Sequence, residues 1–339
     1  MNDEQSHDHS KLEIFPDELF FELFEYISIY DLFRGFTGLN KRIDYILKNL
    51  SNLSATWTTH ADDRIINTFA PCIAQLVVWR GGSLNLHRFS KLRSLKLALP
   101  SIEQCDEIQA SSTLEHLQIE TPVLSSKITG RLSILLLNNA FPRLRTCRID
   151  DLCFDEGKFQ VLPNLQSLTT RTPHPAKLFS FCPQLVHLRL NLEENTTEDF
   201  IFNPHDNLRY LELRIFSTDV TLSSIENLLF YTPNLVRLVL HGPCNTSTQN
   251  QLEICSLASL ITRYLAKLRF LRISLPLTDH RMNLKDLENE QEMLRKLHPL
   301  FNQISYRSRS HNVPGRLLIS SKMADPSSII TVVESQSRF

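Results

Sequence analysis

The spacing of apolar residues between positions 11 and 47 predicts three short helices. The first begins at Pro16, because the fixed φ of proline and its missing N–H suit the first helical turn. Its apolar residues recur three and four positions apart and form one stripe of Phe20, Leu23, Phe24 and Ile27. Further apolar side chains lie off this stripe. A helix that is apolar on more than one side is expected to have more than one neighbour.

The second predicted helix begins at Ser28-x-x-Asp31, a sequence that resembles a capping box. Its inner side is expected to carry Leu32, Phe33, Phe36 and Leu39. The third helix begins near Asn40, and its inward residues are Ile43, Ile46 and Leu47. Three helices of this length carry more apolar surface than so small a unit can bury by itself. The surplus predicts a docking partner.

From about residue 71 the apolar pattern changes to L-x-x-L-x-L, with Ile, Val, Cys or Thr allowed in a leucine position. Nine copies begin at residues 73, 92, 114, 144, 165, 185, 208, 235 and 268. Most of the intervals between them lie within or close to the span of about 20–29 residues that leucine-rich repeats have. Ten of the sixteen prolines fall two residues before or eight residues after the first leucine position. Both places suit strand edges and turns, so proline supports the same register.

Helical patterns lie between the copies, as at 177–181, at 251–265 and at 223–231, where Ser223 is a candidate N-cap. Each unit is therefore predicted to be a strand, a turn and a helix, and stacked units share a core of leucines between parallel strands. Near the end of the chain, Leu284–Leu297 is predicted to be a helix and 316–320 a last strand. These two elements are expected to cap the array.

Residues 11–47 resemble an F-box. The matching residues are Phe15-Pro16, Asp17-Glu18-Leu19, Leu23-Phe24, Tyr26-Ile27, Asp31-Leu32 and Leu39-Asn40-Lys41-Arg42. Phe15 departs from the usual Leu, and the third helix lacks the common Trp. The resemblance implies that the S-phase-kinase-associated adaptor of a cullin–RING ubiquitin ligase binds a face carrying Phe15, Pro16, Leu19, Leu23, Phe24, Ile27 and Leu32. The alternative is an ordinary three-helix cap on the repeat array.

The combination of both parts resembles F-box proteins with C-terminal leucine-rich repeats. It implies an α/β fold: an N-terminal three-helix F-box followed by a leucine-rich-repeat solenoid, or horseshoe, with a parallel concave sheet. The expected organisation is a disordered N-terminus (1–10), an F-box-like domain (11–50), a linker or first cap (51–70), the repeats (71–320) and a disordered tail (321–339). The implied function is substrate recognition in an SCF-type ubiquitin ligase; the alternative is an interaction scaffold with no ligase role.

Strand alternation predicts which residues of the repeats face outward onto the concave surface. Of 27 such positions, seven are Lys or Arg and three are acidic, in a chain with a net charge of −1. The candidate substrate-binding residues are Trp79, Lys96, Arg148, Arg171, Arg189, Tyr210, Arg214, Arg237, Phe270 and Arg272. Guanidinium groups suit carboxylates and phosphates, and aromatic residues often anchor partners. An acidic or phosphorylated segment of a client protein is one hypothesis; the alternative is that these charges keep an exposed sheet soluble.

Composition narrows the other possibilities. The balanced charge gives no reason to expect nucleic acid or an anionic membrane as a partner, and no apolar run approaches the length of about 20 residues that a membrane span needs. No metal-ligand spacing, cofactor loop or catalytic motif occurs, so a non-catalytic protein is expected, and an enzyme with a site built from distant residues is the weaker alternative. Seven scattered cysteines are typical of reduced thiols in the cytoplasm or nucleus.

Overall fold

The computed structural model describes residues 14–58, 62–79, 85–108, 112–120, 126–138, 140–154, 160–172, 174–192, 204–217, 220–242, 254–276, 292, 296, 304–307 and 316–322. The chain divides into two compact units. The first is Met1–Thr170 with Phe181–Gln184, and the second is Arg171–Ser180 with Leu185–Phe339. The expected disordered N-terminus lies outside the described residues, as does all of the helix predicted at Leu284–Leu297 except Glu292 and Lys296.

Three short helices open the first unit, as the apolar spacing predicts: α1 (Asp17–Glu25), α2 (Ile29–Phe36) and α3 (Lys41–Asn49). Their starts follow from local chemistry. The Ser28 hydroxyl accepts a hydrogen bond from the Asp31 N–H at 3.2 Å, and the Asn40 side chain accepts one from the Ile43 N–H at 2.8 Å. Such caps satisfy backbone donors that the first turn leaves without helical partners.

The core of these helices is built from the residues that face one another across the bundle: Phe20, Phe24, Ile29, Leu32, Ile43, Ile46 and Leu47. The Phe24 ring lies 5.5 Å from that of Phe20 and 4.8 Å from that of Phe36. Leu39, predicted to line the inner side of α2, is 59% exposed, and Leu23 of the predicted α1 stripe is 49% exposed. Leu23 lies outside because Phe20 and Phe24 already fill the inner side of α1. Leu39 lies beyond the end of α2, after Gly38, whose φ of 77° turns the chain.

The rest of the first unit alternates strands and helices. Its strands are β1 (Leu53–Trp57), β2 (Ile73–Trp79), β3 (Ser94–Ala98), β4 (His116–Glu120), β5 (Thr146–Asp151) and β6 (Ser167–Arg171), which ends at the first residue of the second unit. The helices are α4 (Asp63–Phe69), α5 (Ile102–Ile108) and α6 (Ser126–Leu137), with 3-10 turns at Ala70–Cys72 and Leu86–Arg88. Strands β1 to β5 pair in parallel, and β6 follows β5 in the sheet.

The second unit continues the alternation. It contains β7 (His187–Leu192), β8 (Tyr210–Ile215), α8 (Leu222–Phe230), β9 (Arg237–His241), α9 (Ile254–Tyr264), β10 (Phe270–Pro276), β11 (Ile304–Arg307) and β12 (Arg316–Lys322). Helix α7 (Pro175–Phe181) begins in this unit, and its last residue belongs to the first. Strands β7 to β10 pair in parallel, whereas β12 is antiparallel to both β10 and β11.

The nine predicted repeat strands are all present, as β2 to β10. Their leucines are inside, as at Leu188, Leu211, Leu238 and Leu271, which have no exposed surface. The same pair of backbone hydrogen bonds recurs at the strand starts. The Val186 carbonyl accepts from Arg209 N at 2.9 Å and from Tyr210 N at 3.0 Å, and the Arg209 carbonyl accepts from Val236 N and Arg237 N. This solenoid-like α/β arrangement follows from units that cannot bury their own leucines.

Three boundaries differ from the predictions. The segment predicted as a linker or first cap (51–70) contains β1 and α4, so the sheet starts one strand before the first copy of the repeat. Helix α8 is capped by Thr221, whose hydroxyl accepts from Ser224 N at 3.3 Å, and not by Ser223. The last strand extends to Lys322, two residues into the predicted tail, and 323–339 lies outside the described residues.

Candidate functional site

The first candidate site is an apolar surface on α1 and the residues just before it. Its members are more than 45% exposed or, for Pro16, classed as exposed: Ile14, Phe15, Pro16, Leu19, Leu23 and Tyr26. We call this surface the α1 face. It is exposed because Phe20 and Phe24 of the same helix point into the bundle. The helical repeat then places Leu19, Leu23 and Tyr26 on the outer side.

Four of the seven adaptor-binding candidates lie on the α1 face: Phe15, Pro16, Leu19 and Leu23. Ile27 is half-buried. Phe24 and Leu32 have no exposed surface, so they form no part of an open face. The reason is geometric: Phe24 contacts Phe36 of α2, and Leu32 is the innermost residue of that helix. These two residues stabilise the bundle.

Arg42 of α3 fixes the start of the α1 face. Its Nε donates to Asp17 Oδ1 at 2.7 Å, and its Nη2 donates to the Phe15 carbonyl at 2.5 Å. The guanidinium also lies 5.7 Å from the centre of the Phe20 ring. Planar donors of this kind hold two acceptors in one geometry. The backbone around Phe15 and Pro16 is therefore tied to α3.

The second candidate site is the side of β7 to β10 opposite the inward leucines, which we call the second-unit strand face. Strand register arranges its residues in three rows. The first row is His187, Tyr210, Arg237 and Phe270. The second row is Arg189, Glu212, Val239 and Arg272. The third row is Asn191, Arg214, His241 and Ser274.

Glu212 is the centre of this face. Its side chain is 4% exposed, although strand alternation places it on the outer side. Oε2 lies 2.8 Å from Arg189 Nε and accepts a hydrogen bond from the Tyr210 hydroxyl at 2.8 Å. Oε1 accepts from Arg214 Nε at 2.8 Å and lies 3.8 Å from His241 Nε2. The neighbouring side chains therefore cover the carboxylate and neutralise it.

The ionisation of Glu212 follows from these contacts. Burial by itself would raise its pKa, because a charged carboxylate loses water. Hydrogen bonds from Tyr210 and Arg214, together with the charges of Arg189 and Arg214, outweigh burial, and the net effect holds the pKa of Glu212 below its ordinary value. Glu212 is thus a carboxylate at neutral pH, fixed between two arginines.

The first row supplies aromatic surface. The His187 and Tyr210 rings are 5.8 Å apart. The Arg237 guanidinium lies 5.3 Å from the centre of the Tyr210 ring and 4.2 Å from that of Phe270. A guanidinium between two rings gains cation–π energy and loses rotamer freedom. This row is a strip in which half-buried Tyr210 and Phe270 alternate with exposed His187 and Arg237, beside the charged second row.

The first unit carries a smaller cluster on the corresponding side of β2 to β5. Trp79 is 47% exposed, and Lys96 Nζ lies 5.6 Å from the centre of its ring. Lys96 Nζ also lies 3.1 Å from Glu120 Oε1, which accepts from Gln118 Nε2 at 2.7 Å. Burial would raise the pKa of Glu120, but these donors and the charge of Arg148 lower it overall.

The ten substrate-binding candidates divide between the units. Trp79, Lys96 and Arg148 belong to the first, and the other seven belong to the second. Three of the basic ones, Lys96, Arg189 and Arg214, are ion-paired on the protein itself, which reduces the positive charge inferred from residue counts. Arg148, Arg237 and Arg272 are exposed, and Arg171 is half-buried.

Sequence reasoning did not select Glu212 or His187 as site residues. The signal for Glu212 is present in the aligned repeats: the same position is Arg189 in the preceding strand, and Arg214 follows two residues later. Aligning the copies by register therefore places one acid between two arginines. For His187, the only signal is its register position opposite Tyr210.

The described residues offer little chemistry besides these surfaces. Among them, no group of three His, Cys, Asp or Glu residues is placed to hold a metal ion, and no helix is long and apolar enough to cross a membrane. Burial raises the pKa of Cys147 and Cys182, the latter to about 12, so both thiols stay protonated at neutral pH. No protein-family model matches the chain, and a search of curated proteins finds no significant match.

Proposed function

We propose that this chain is a substrate receptor of an SCF-type cullin–RING ubiquitin ligase. In this proposal the α1 face binds the S-phase-kinase-associated adaptor, and the strand faces bind the client protein. The observation that carries it is the uncovered α1 face. The three helices have a filled interior, yet Phe15, Leu19 and Leu23 remain about half-exposed together. Grouped apolar surface of this kind is typical of a protein interface.

The energetics support docking through this surface. A fully buried leucine gains about 1.5–3 kcal/mol relative to an exposed one, so each half-exposed leucine has about 1 kcal/mol left to gain. Arg42 and the bundle already hold the start of the face in place, which lowers the entropic cost of binding. The F-box resemblance of the same residues names the partner.

The proposed mechanism is proximity, with no chemical step on this chain. A receptor that holds an adaptor at one end and a client on its strands raises the local concentration of client lysines near the ubiquitin-conjugating enzyme. The strand faces suit the client because they present aromatic and arginine side chains on regular strands, and such residues dominate binding energy at interfaces.

Co-purification with the adaptor tests the proposal. We expect Leu19→Asp with Leu23→Asp to abolish adaptor binding, because both charges would have to enter an apolar interface. Ile134→Asp is the matched control, since Ile134 is a 44% exposed apolar residue on α6, away from the α1 face. Binding that survives in the double variant, with the fold intact, would contradict the proposal.

A scaffold without a ligase role is the second candidate, and the aromatic and arginine rows of the second-unit strand face favour it equally. A reconstituted ubiquitination assay separates the two. The receptor proposal expects ubiquitin transfer to captured clients that depends on Leu19 and Leu23. Client capture by the wild type with no adaptor binding would favour the scaffold.

A further inference from the structure

We propose that Glu212 and the two arginines beside it form a preformed receptor for one oxyanion of the client, either a phosphorylated side chain or a carboxylate. Glu212 acts as a positioning residue, and Arg189 and Arg214 contact the ligand. This inference rests on the proposed use of the second-unit strand face for client binding. It goes beyond that proposal by specifying an anionic ligand and by giving Glu212, itself an acid, a role in binding it.

The donors of both arginines are only partly used. Arg214 donates to Glu212 through Nε, whereas Arg189 Nε lies 2.8 Å from Glu212 Oε2 as a charge contact without hydrogen-bond geometry. Each guanidinium carries four further N–H donors on its terminal nitrogens. The side chains of Arg189 and Arg214 are 37% and 43% exposed, so solvent and ligands reach them. The Glu212 carboxylate is 4% exposed and remains behind them. A ligand arriving at this face therefore meets guanidinium groups first.

The local charge favours an anion. Among the twelve outward positions of β7 to β10, four are arginine and one is glutamate. Glu212 neutralises one of its two arginine neighbours, which leaves an excess of one positive charge at the centre. Arg237 in the adjacent row and Arg272 at the edge of the same row add to it. Fork-shaped cations suit phosphate and carboxylate geometry better than ammonium groups do.

Preorganisation gives Glu212 its role. Free arginine side chains lose considerable rotamer entropy when a ligand fixes them. Here the 2.8 Å contacts to a buried carboxylate already fix both, and the Tyr210 hydroxyl fixes the carboxylate in turn. The first row, with Arg237 between Tyr210 and Phe270, restricts the neighbouring surface as well. Much of the side-chain entropy that binding would cost is therefore already lost in the free protein.

This arrangement makes a prediction opposite to that of simple charge counting. Replacing Glu212 by Gln removes a negative charge, so charge counting expects tighter anion binding. If Glu212 positions the arginines, the same change weakens anion binding, because Arg214 loses its acceptor and Arg189 loses its anionic partner. Arg214→Lys separates the effects further, since it keeps the charge but loses the fork.

The experiment measures retention of the full-length chain on three immobilised degenerate peptide pools, with a central phosphoserine, glutamate or serine. We expect the wild type to prefer a charged pool over the serine pool. Glu212→Gln and Arg214→Lys are each expected to reduce this preference about tenfold. Glu226→Gln and Arg263→Gln are matched controls: Glu226 also pairs with a tyrosine hydroxyl, at 2.8 Å, and with an arginine, at 3.9 Å, but on α8 and α9.

Each outcome is informative. Preference for the phosphoserine pool identifies a phosphate ligand, and preference for the glutamate pool identifies a carboxylate; either supports the inference. Equal retention of all three pools by the wild type overturns it, as does stronger anion binding by Glu212→Gln. If Glu212→Gln fails to fold, the exposed Arg214→Lys change decides alone. Adaptor binding, measured on the same preparations, reports independently on the proposed function.

Discussion

Replacing Glu212 by Gln should cost the second unit a measurable part of its stability. Gln has nearly the same shape, so the change isolates the charge. Its amide keeps one acceptor oxygen, which can still accept from the Tyr210 hydroxyl and lie beside Arg189 Nε. The amide nitrogen then faces Arg214 Nε, and two donors cannot bond to each other.

The magnitude follows from the three 2.8 Å contacts. Hydrogen bonds to charged groups contribute about 1.5–3 kcal/mol and neutral ones about 1. The Arg214 bond is therefore lost, the Tyr210 bond is weakened, and the charge contact with Arg189 loses its anionic partner. Breaking a buried ion pair costs about 3–5 kcal/mol, but Arg189 and Arg214 are more than a third exposed and regain water. We therefore expect a loss of about 2–3 kcal/mol, which lowers the melting temperature by about 4–12 °C for a unit of this size.

The assay is chemical or thermal unfolding of the wild type, Glu212→Gln and Glu226→Gln as a function of pH. The pKa of Glu212 is lowered in the folded state, so its contribution is complete above the unfolded pKa of about 4.3 and is lost as pH falls through the folded pKa. The stability gap should be full at pH 7 and should narrow below about pH 4. Glu226→Gln should cost less than about 1 kcal/mol, because Glu226 is 35% exposed. Equal costs for the two variants at pH 7 would refute the reasoning.

Two further changes test the local chemistry of the helices. Ser28→Ala should destabilise the first unit by about 1 kcal/mol in urea unfolding, because the Asp31 N–H loses its 3.2 Å acceptor, and an unchanged midpoint would contradict the capping role. Gly38→Ala should cost about 1 kcal/mol in the same assay, because a φ of 77° strains any residue with a Cβ, although the space around Gly38 is open. Gly35→Ala is the control: Gly35 lies in a helix without positive φ, so this change should not destabilise the protein.

The elements that sequence reasoning found are those encoded by a period. The copies of L-x-x-L-x-L predict β2 to β10 because each strand must place leucines on one side to share a core. The spacing of apolar residues predicts α1 to α3, and short-range polar chemistry predicts the cap at Ser28, whereas the cap at Asn40 was not predicted. These signals are local, so a single sequence carries them.

The elements that it missed depend on long-range pairing. The residues of β1 do not match the repeat pattern, and β1 is identified as a strand only by its parallel pairing with β2. The antiparallel direction of β12 is set by its pairing with β10, from which a long segment of chain separates it. The burial of Glu212 has this origin in part: strand alternation places Arg214 on the same side of β8, but Arg189 covers the carboxylate only because the register aligns β7 with β8. Aligning the copies of the repeat places Arg189 beside Glu212, but the contacts that bury the carboxylate are seen only in the folded chain.

The two sides of α1 allow stability and docking to be separated by mutation. Phe24 is fully buried and packs against Phe20 and Phe36, so its loss would create a cavity costing about 3–5 kcal/mol and would weaken any binding that needs the folded helices. Leu23, the preceding residue, is 49% exposed, and a change there removes little internal packing. Lost adaptor binding in a Phe24 variant would therefore report on folding, whereas the same loss in a Leu23 variant of unchanged stability would report on contact. Because the F-box resemblance includes both residues, only their different burial in the folded chain identifies Leu23 as the position at which docking is measured.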